Sequence, residues 1–236
     1  EEEFASELVA GRMMLGWATV PGINLLVFTA DALARLGDEA QAQQTCDRAY
    51  RELAQREHPF SRALLDFSQT SLWLRQGRHA EAAARLRETH TLCRQHDLLT
   101  MTPCIVGLLA EALGQIGGTD EACTLVEQAL ADKAYQIAGL YSEFFLRHGL
   151  GRALAAAGRH AEAQEQLQAA RDYAERYEQW GHDADALLAL GELALQRDDP
   201  DAARDYLRQA GEKAQRCGMR KVLQRAVELS AALPVV

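Results

Sequence analysis

One spacing constrains this chain more than any other feature. Gly37, Gly77, Gly117, Gly158 and Asp198 lie 40, 40, 41 and 40 residues apart, and an alanine stands five positions after each: Ala42, Ala82, Ala122, Ala163 and Ala203. A fixed period of this size marks a stack of repeated helical units, each burying its apolar side against the next. Four residues beyond each alanine lie Cys46, Leu86, Val126, Leu167 and Leu207, and seven beyond lie Ala49, Thr89, Ala129, Ala170 and Ala210. Offsets of zero, four and seven share one face of an α-helix. Before each anchor the pattern is looser. Four before lie Leu33, Trp73, Leu113, Leu154 and Ala194, and seven before lie Ala30, Thr70, Ala110, Gly151 and Gly191. Each unit therefore reads as helix A, tight turn, helix B. The expected fold is all-α, a right-handed superhelix of about five such pairs with a C-terminal capping helix.

In chain order, residues 1–18 carry a loose stripe of Phe4, Leu8, Val9 and Leu15 and read as a helix from a preceding repeat or an N-terminal cap. The chain is accordingly read as a piece of something longer. The repeats are placed at 19–57, 58–99, 100–136, 137–180 and 181–217, with a capping helix and tail over 218–236. In repeat one, helix A is expected over Ile23 to Leu36, and helix B from Asp38, as N-cap, to about Gln55. Repeat two starts at His58-Pro59-Phe60-Ser61, with helix B from His79 to His96. Repeat three starts at Thr102-Pro103, with Thr119 or Asp120 capping its helix B. In repeat four, helix A runs from about Gly139 to Ala157, and helix B from His160 to Gln179, ended by Trp180-Gly181. Repeat five has helix A over Asp183 to Arg197, a turn at Asp198 with Pro200 at the helix start, and a stop at Gly218. Arg220, Lys221, Gln224, Arg225 and Glu228 give the last helix the polar face that ends a stack.

The hydrophobic fraction of 48% suffices for a continuous core, and a net charge of -9 disfavours nucleic acid or an anionic membrane as partner. No apolar run is long enough to span a bilayer. The five cysteines contain no CxxC, and Cys46 falls on a core position, which reads as a reduced, cytoplasmic protein. The chain has no GxxxxGK[ST] phosphate loop and no HExxH, and Gly149-Leu150-Gly151 lacks the rest of a dinucleotide fingerprint. His90 and Cys93 could share one face of a helix but His96 lies at the wrong azimuth to join them on one metal, and Cys104, Glu143 and His148 lie on different helices. No cofactor, metal or catalytic residue is expected.

Helix–turn–helix units with a turn glycine, an alanine five on, then apolar and small positions resemble tetratricopeptide repeats, here with a period near 40 rather than the usual ~34 residues. Val20-Pro21-Gly22, Leu36-Gly37, His58-Pro59-Phe60-Ser61 and Leu108-Leu109-Ala110-Glu111-Ala112 resemble, more closely, the C-terminal repeat region of large bacterial signalling proteins. In those proteins a class III adenylyl/guanylyl cyclase or a transcription-regulator domain precedes an ATPase domain and then the array. The resemblance implies a regulatory module that binds a protein or peptide segment, or a small effector, in a concave groove, with upstream domains of its own polypeptide as further partners. A scaffold is the second reading, with a homodimer left open, and an enzyme the weakest.

In tetratricopeptide arrays helix A lines that groove, and the resemblance carries over thirteen, ten, six, three and two residues before each anchor. The polar and aromatic residues this gives are Asn24, Asp31, Arg35, Phe67, Ser71, Arg75, Cys104, Glu111, Phe145, His148, Arg152, Asp185 and Glu192. The same positions include Val27, Ala34, Leu74, Gly107 and Gly114. The two glycines leave the third repeat bare, for close approach of a ligand or of a neighbouring helix. Arg152 and Glu111 are expected as paired polar anchors of the groove, and Arg147 as a residue outside it.

Overall fold

A computed structural model describes residues 20–54, 58–132 and 142–233, and among them finds eleven α-helices and no strand. They are α1 (Pro21–Leu36), α2 (Glu39–Leu53), α3 (Pro59–Arg75), α4 (His79–Gln95), α5 (Thr102–Gln115), α6 (Thr119–Ala131), α7 (Ser142–Ala156), α8 (His160–Arg176), α9 (Trp180–Gln196), α10 (Pro200–Arg216) and α11 (Arg220–Ala231). Odd-numbered helices are the A helices and even-numbered ones the B helices of a helical-repeat solenoid. The expectations placed on residues 1–18, on Gln55 and on Gly139 lie outside the described residues.

All five anchors take the left-handed backbone conformation, with φ between 55° at Asp198 and 91° at Gly37. Glycine adopts it without a side-chain clash, and aspartate is among the few other residues that tolerate it. The residue after each anchor then donates its N–H to the carbonyl five back, as in Asp38 to Leu33 and Arg159 to Leu154, both at 2.9 Å. The turn thus satisfies a helix end that would otherwise lack partners. Asp38 caps α2 as expected, accepting from the Gln41 N–H.

Three helix ends differ from the sequence expectation. Gly118 holds the N-cap of α6, so Thr119 is buried in the first turn and Asp120 faces water beside the helix's positive end. The helix of repeat four stops at Arg176, because Glu178 is itself left-handed at φ 54°. Trp180 consequently opens α9 rather than ending α8.

The alanines five after the anchors, and the residues four and seven beyond them, are at most 4% exposed. Small residues upstream make room for them: a β-carbon at Gly151 would sit 2.6 Å from Leu167 Cγ, and one at Gly191 would sit 2.7 Å from Leu207 Cδ2. Between α5 and α7 the helices meet backbone to backbone. A β-carbon at Gly149 would overlap the Gly107 carbonyl oxygen, one at Gly107 the Phe145 carbonyl, and one at Gly114 the Ala153 backbone. At Gly107 and Gly114 the close approach is therefore taken by the neighbouring helix α7. Val27, Ala34 and Leu74 are likewise buried at 2, 2 and 8% exposure, which removes them from any groove surface.

The solenoid curls until its end returns to its beginning. Lys221 of α11 pairs with Glu39 of α2 at 3.1 Å, and Arg35 of α1 reaches Asp185 of α9 at 3.9 Å. Arg220, Gln224, Arg225 and Glu228 are exposed on α11, while Lys221 is partly covered by the Glu39 contact.

Candidate inner-face site

The curl turns the A helices inward and brings most of the expected groove residues together, where they bind one another. Arg152 on α7 donates to Glu192 on α9 at 2.8 Å and lies 3.1 Å from Glu111 on α5, tying three successive A helices. Arg225 on α11 adds a second cation to Glu192 at 3.1 Å. Burial alone would lower the Arg152 pKa, but Glu111 and Glu192 outweigh it and raise it. Burial would raise Glu192, but Arg152 and then Arg225 hold its carboxyl below the usual range. Arg152 is thus an internal brace, because two carboxylates converge on it from the flanking helices. Arg147, on the other side of α7, pairs with Glu143 at 2.6 Å and Gln166 at 3.2 Å.

Nearer the first repeat, Arg35 bridges Asp31 at 2.8 Å and Asp185, while Arg75 approaches Asp31 at 3.9 Å. Between the two charged groups lies an aromatic cluster. Phe67 meets Phe145 edge to face at 5.2 Å, and Phe144 lies between His148 and His182, stacked on them at 5.2 and 4.4 Å. Burial depresses both imidazoles, holding His182 at about 4. Ser71 and Asn24 are half-buried, and Cys104 bonds back to the Thr100 carbonyl, its thiol pushed up to about 12 by burial.

Beside the Arg152 brace opens a cavity of about 230 Å³. Arg152 and Glu192 supply its charge, Gln115 and Gln196 its neutral polar groups, and Leu167 and Leu193 part of its apolar wall.

Sequence reasoning missed Phe144 and His182, which lie 14 and 16 residues before their anchors, upstream of every groove offset. It also missed two buried carboxylates. Asp66 on α3 accepts from Tyr50 at 2.6 Å, Arg62 at 2.9 Å and Thr89 at 2.9 Å, joining α2, α3 and α4. Asp183 on α9 pairs with Lys213 on α10 and faces Arg171 on α8 at 3.7 Å. An aspartate three or four residues from an arginine, as Asp66 is from Arg62, was the available signal.

Fold and inner face together define an all-α solenoid with a self-paired concave surface. A tetratricopeptide-repeat family model matches residues 143–215, spanning α7 to α10, and a second tetratricopeptide-repeat model matches residues 24–48 and 71–88. No curated protein matches the chain. Tetratricopeptide repeats generally mediate protein–protein interaction, and such a fold is typically non-enzymatic. Among the described residues no helix is long and apolar enough to cross a membrane.

Proposed function

We propose that this chain is the regulatory interaction or effector-sensing module of a bacterial multidomain signalling protein, acting in the cytoplasm by binding in its concave groove. The observation that carries the reading is the Arg152 brace at the wall of the cavity of about 230 Å³. That volume is below the ~300–1,000 Å³ of drug-sized sites, so it suits one acidic side chain of a peptide or a small polar effector. A guest carboxylate would compete with Glu111 or Glu192 for the guanidinium. Displacing either releases a tie between A helices, so occupancy changes the curl and biases whatever is attached. The resemblance to signalling arrays has a structural counterpart as well. The Val20 N–H donates to Ser61 Oγ at 2.9 Å, and His58 Nδ1 accepts from the Ser61 N–H at 3.2 Å, so Val20-Pro21-Gly22 and His-Pro-Phe-Ser form one joined unit.

The test is an array of acidic peptides probed with the wild-type chain and with Arg152→Ala. The variant should lose the bound set by about tenfold or more, as for a lost charge-assisted contact. It should also lose about 1–2 kcal/mol of stability, since the partly buried Glu111 is left without its cation while Glu192 keeps Arg225. Identical binding by both proteins, or binding by neither, overturns the reading.

A further inference from the structure

The A helices can be compared position by position. Twelve residues before the anchors stand Leu25, Leu65, Ile105, Leu146 and Ala186, and nine before stand Phe28, Ser68, Leu108, Gly149 and Ala189. In α3, α5, α7 and α9 all of these are buried, none of the side chains more than 7% exposed. In α1 the same two positions are bare: Leu25 is 69% exposed and Phe28 64%. These are the two largest exposures among the described large hydrophobic residues. Scattered apolar residues on a surface mean little, but a strip at positions that every sister helix covers marks a face built to be covered.

What covers the sister faces follows a rule. Each later A helix packs against both helices of the unit before it, α3 on α1 and α2, α5 on α3 and α4, α7 on α5 and α6, and α9 on α7 and α8, and Gly149 at one of these positions meets Gly107 of α5. α11 does not serve for α1, since it meets the first repeat at the turn after α1 and leaves Leu25 and Phe28 open. By chain order the missing cover for α1 is the stretch just before Val20. That stretch holds Phe4, Leu8, Val9, Met13, Met14, Leu15 and Trp17 within residues 1–18, enough apolar side chains for such a face.

We infer that residues 1–18 dock on the Leu25–Phe28 face of α1 and cover it from outside. Charge favours the arrangement less than apolar area does. The stretch opens with Glu1, Glu2 and Glu3, and its only cation is Arg12.

Arg12 makes the inference testable in the full chain, because it is the first tryptic site. Wild type and the double variant Leu25→Glu, Phe28→Glu are exposed to dilute trypsin, and release of peptide 1–12 is followed by mass spectrometry. Docking predicts release about tenfold or more faster in the variant, since cleavage tracks the population of the open form. Cleavage after Arg171, inside the array, should stay at its wild-type rate. Equal release from the two proteins overturns the inference. So does a wild-type dimer, by light scattering, that the variant converts to monomer, because a second copy would then be the cover. If the variant speeds cleavage everywhere, a photo-crosslinking phenylalanine analogue at position 28 of the otherwise native chain decides. An adduct within residues 1–18 supports docking, and an adduct elsewhere or none refutes it.

Discussion

Between α5 and α7 the array is joined by backbone on backbone, with Gly107 and Gly149 letting two helices touch without side chains between them. Between α1–α2 and the ends of α9 and α11 it is joined by charge, through Arg35–Asp185 and Lys221–Glu39. The first joint excludes water and depends on shape, so salt and pH scarcely reach it. The second is partly exposed and made of long side chains, so it is inexpensive to open. A solenoid built this way has a stiff middle and a loosely latched circumference. Motion that opens the inner face should begin at the latch, not at the seam.

The seam should break hardest. Gly149→Val would place a branched side chain on the Gly107 carbonyl, and the expected loss is about 3 kcal/mol or more, at the upper end of overpacking. A urea midpoint close to wild type would mean that α5 and α7 do not meet as described.

The second expected effect concerns the stack between the two joints. His182 is held at about 4, chiefly by burial and by Arg35 and His148, against the opposing pull of Asp185 and Asp31. Unfolded histidine titrates near 6.5. Its folded pKa is thus depressed, so the stability tied to the neutral ring is complete above about 6.5 and declines as pH falls, by about 2 kcal/mol at pH 5 and about 3 kcal/mol near pH 4. Denaturant melts at pH 7.5 and 5 should show a larger loss for wild type than for His182→Phe, which keeps the stack and removes the proton site. Equal losses would show that carboxylates elsewhere dominate the acid response.

The smallest effect is the latch. Lys221→Ala should cost below about 1 kcal/mol, as exposed pairs do, yet it should widen the radius of gyration measured by X-ray scattering. Raising salt should widen wild type in the same direction, because exposed pairs are screened. A radius that responds to neither change would make the closure part of the core.

Much of the fold was legible because its requirements are local. A left-handed turn needs glycine or something like aspartate, and a close helix crossing needs alanine, so Gly37 to Asp198 and Ala42 to Ala203 announce themselves. The turns between repeats were less visible. Asp97 and Glu178 are also left-handed there, and glutamate gives no sign of it, which is why the sequence places Trp180 on the wrong helix. For the inner face, the register found the residues but not their pairing. Arg152 and Glu111 read in the sequence as paired anchors for a partner, and only the curl shows that they bind each other, with Glu192 converging on the same guanidinium. Asp66 and Asp183 escaped because a helical aspartate ordinarily faces water, and their burial depends on cations from other helices.

The turn bond repeated at each anchor bears on how the chain assembles. It closes a loop of only a few residues, so each A–B hairpin forms from contacts near in sequence, and such low contact order favours fast folding that starts in any unit. Near-identical hairpins create an addressing problem, since an alanine stripe from one unit fits the groove of several others. Among the described residues, the Gly107–Gly149 seam occurs once. It works as an address, admitting the fourth hairpin beside the third and rejecting the others, whose side chains at those positions would collide.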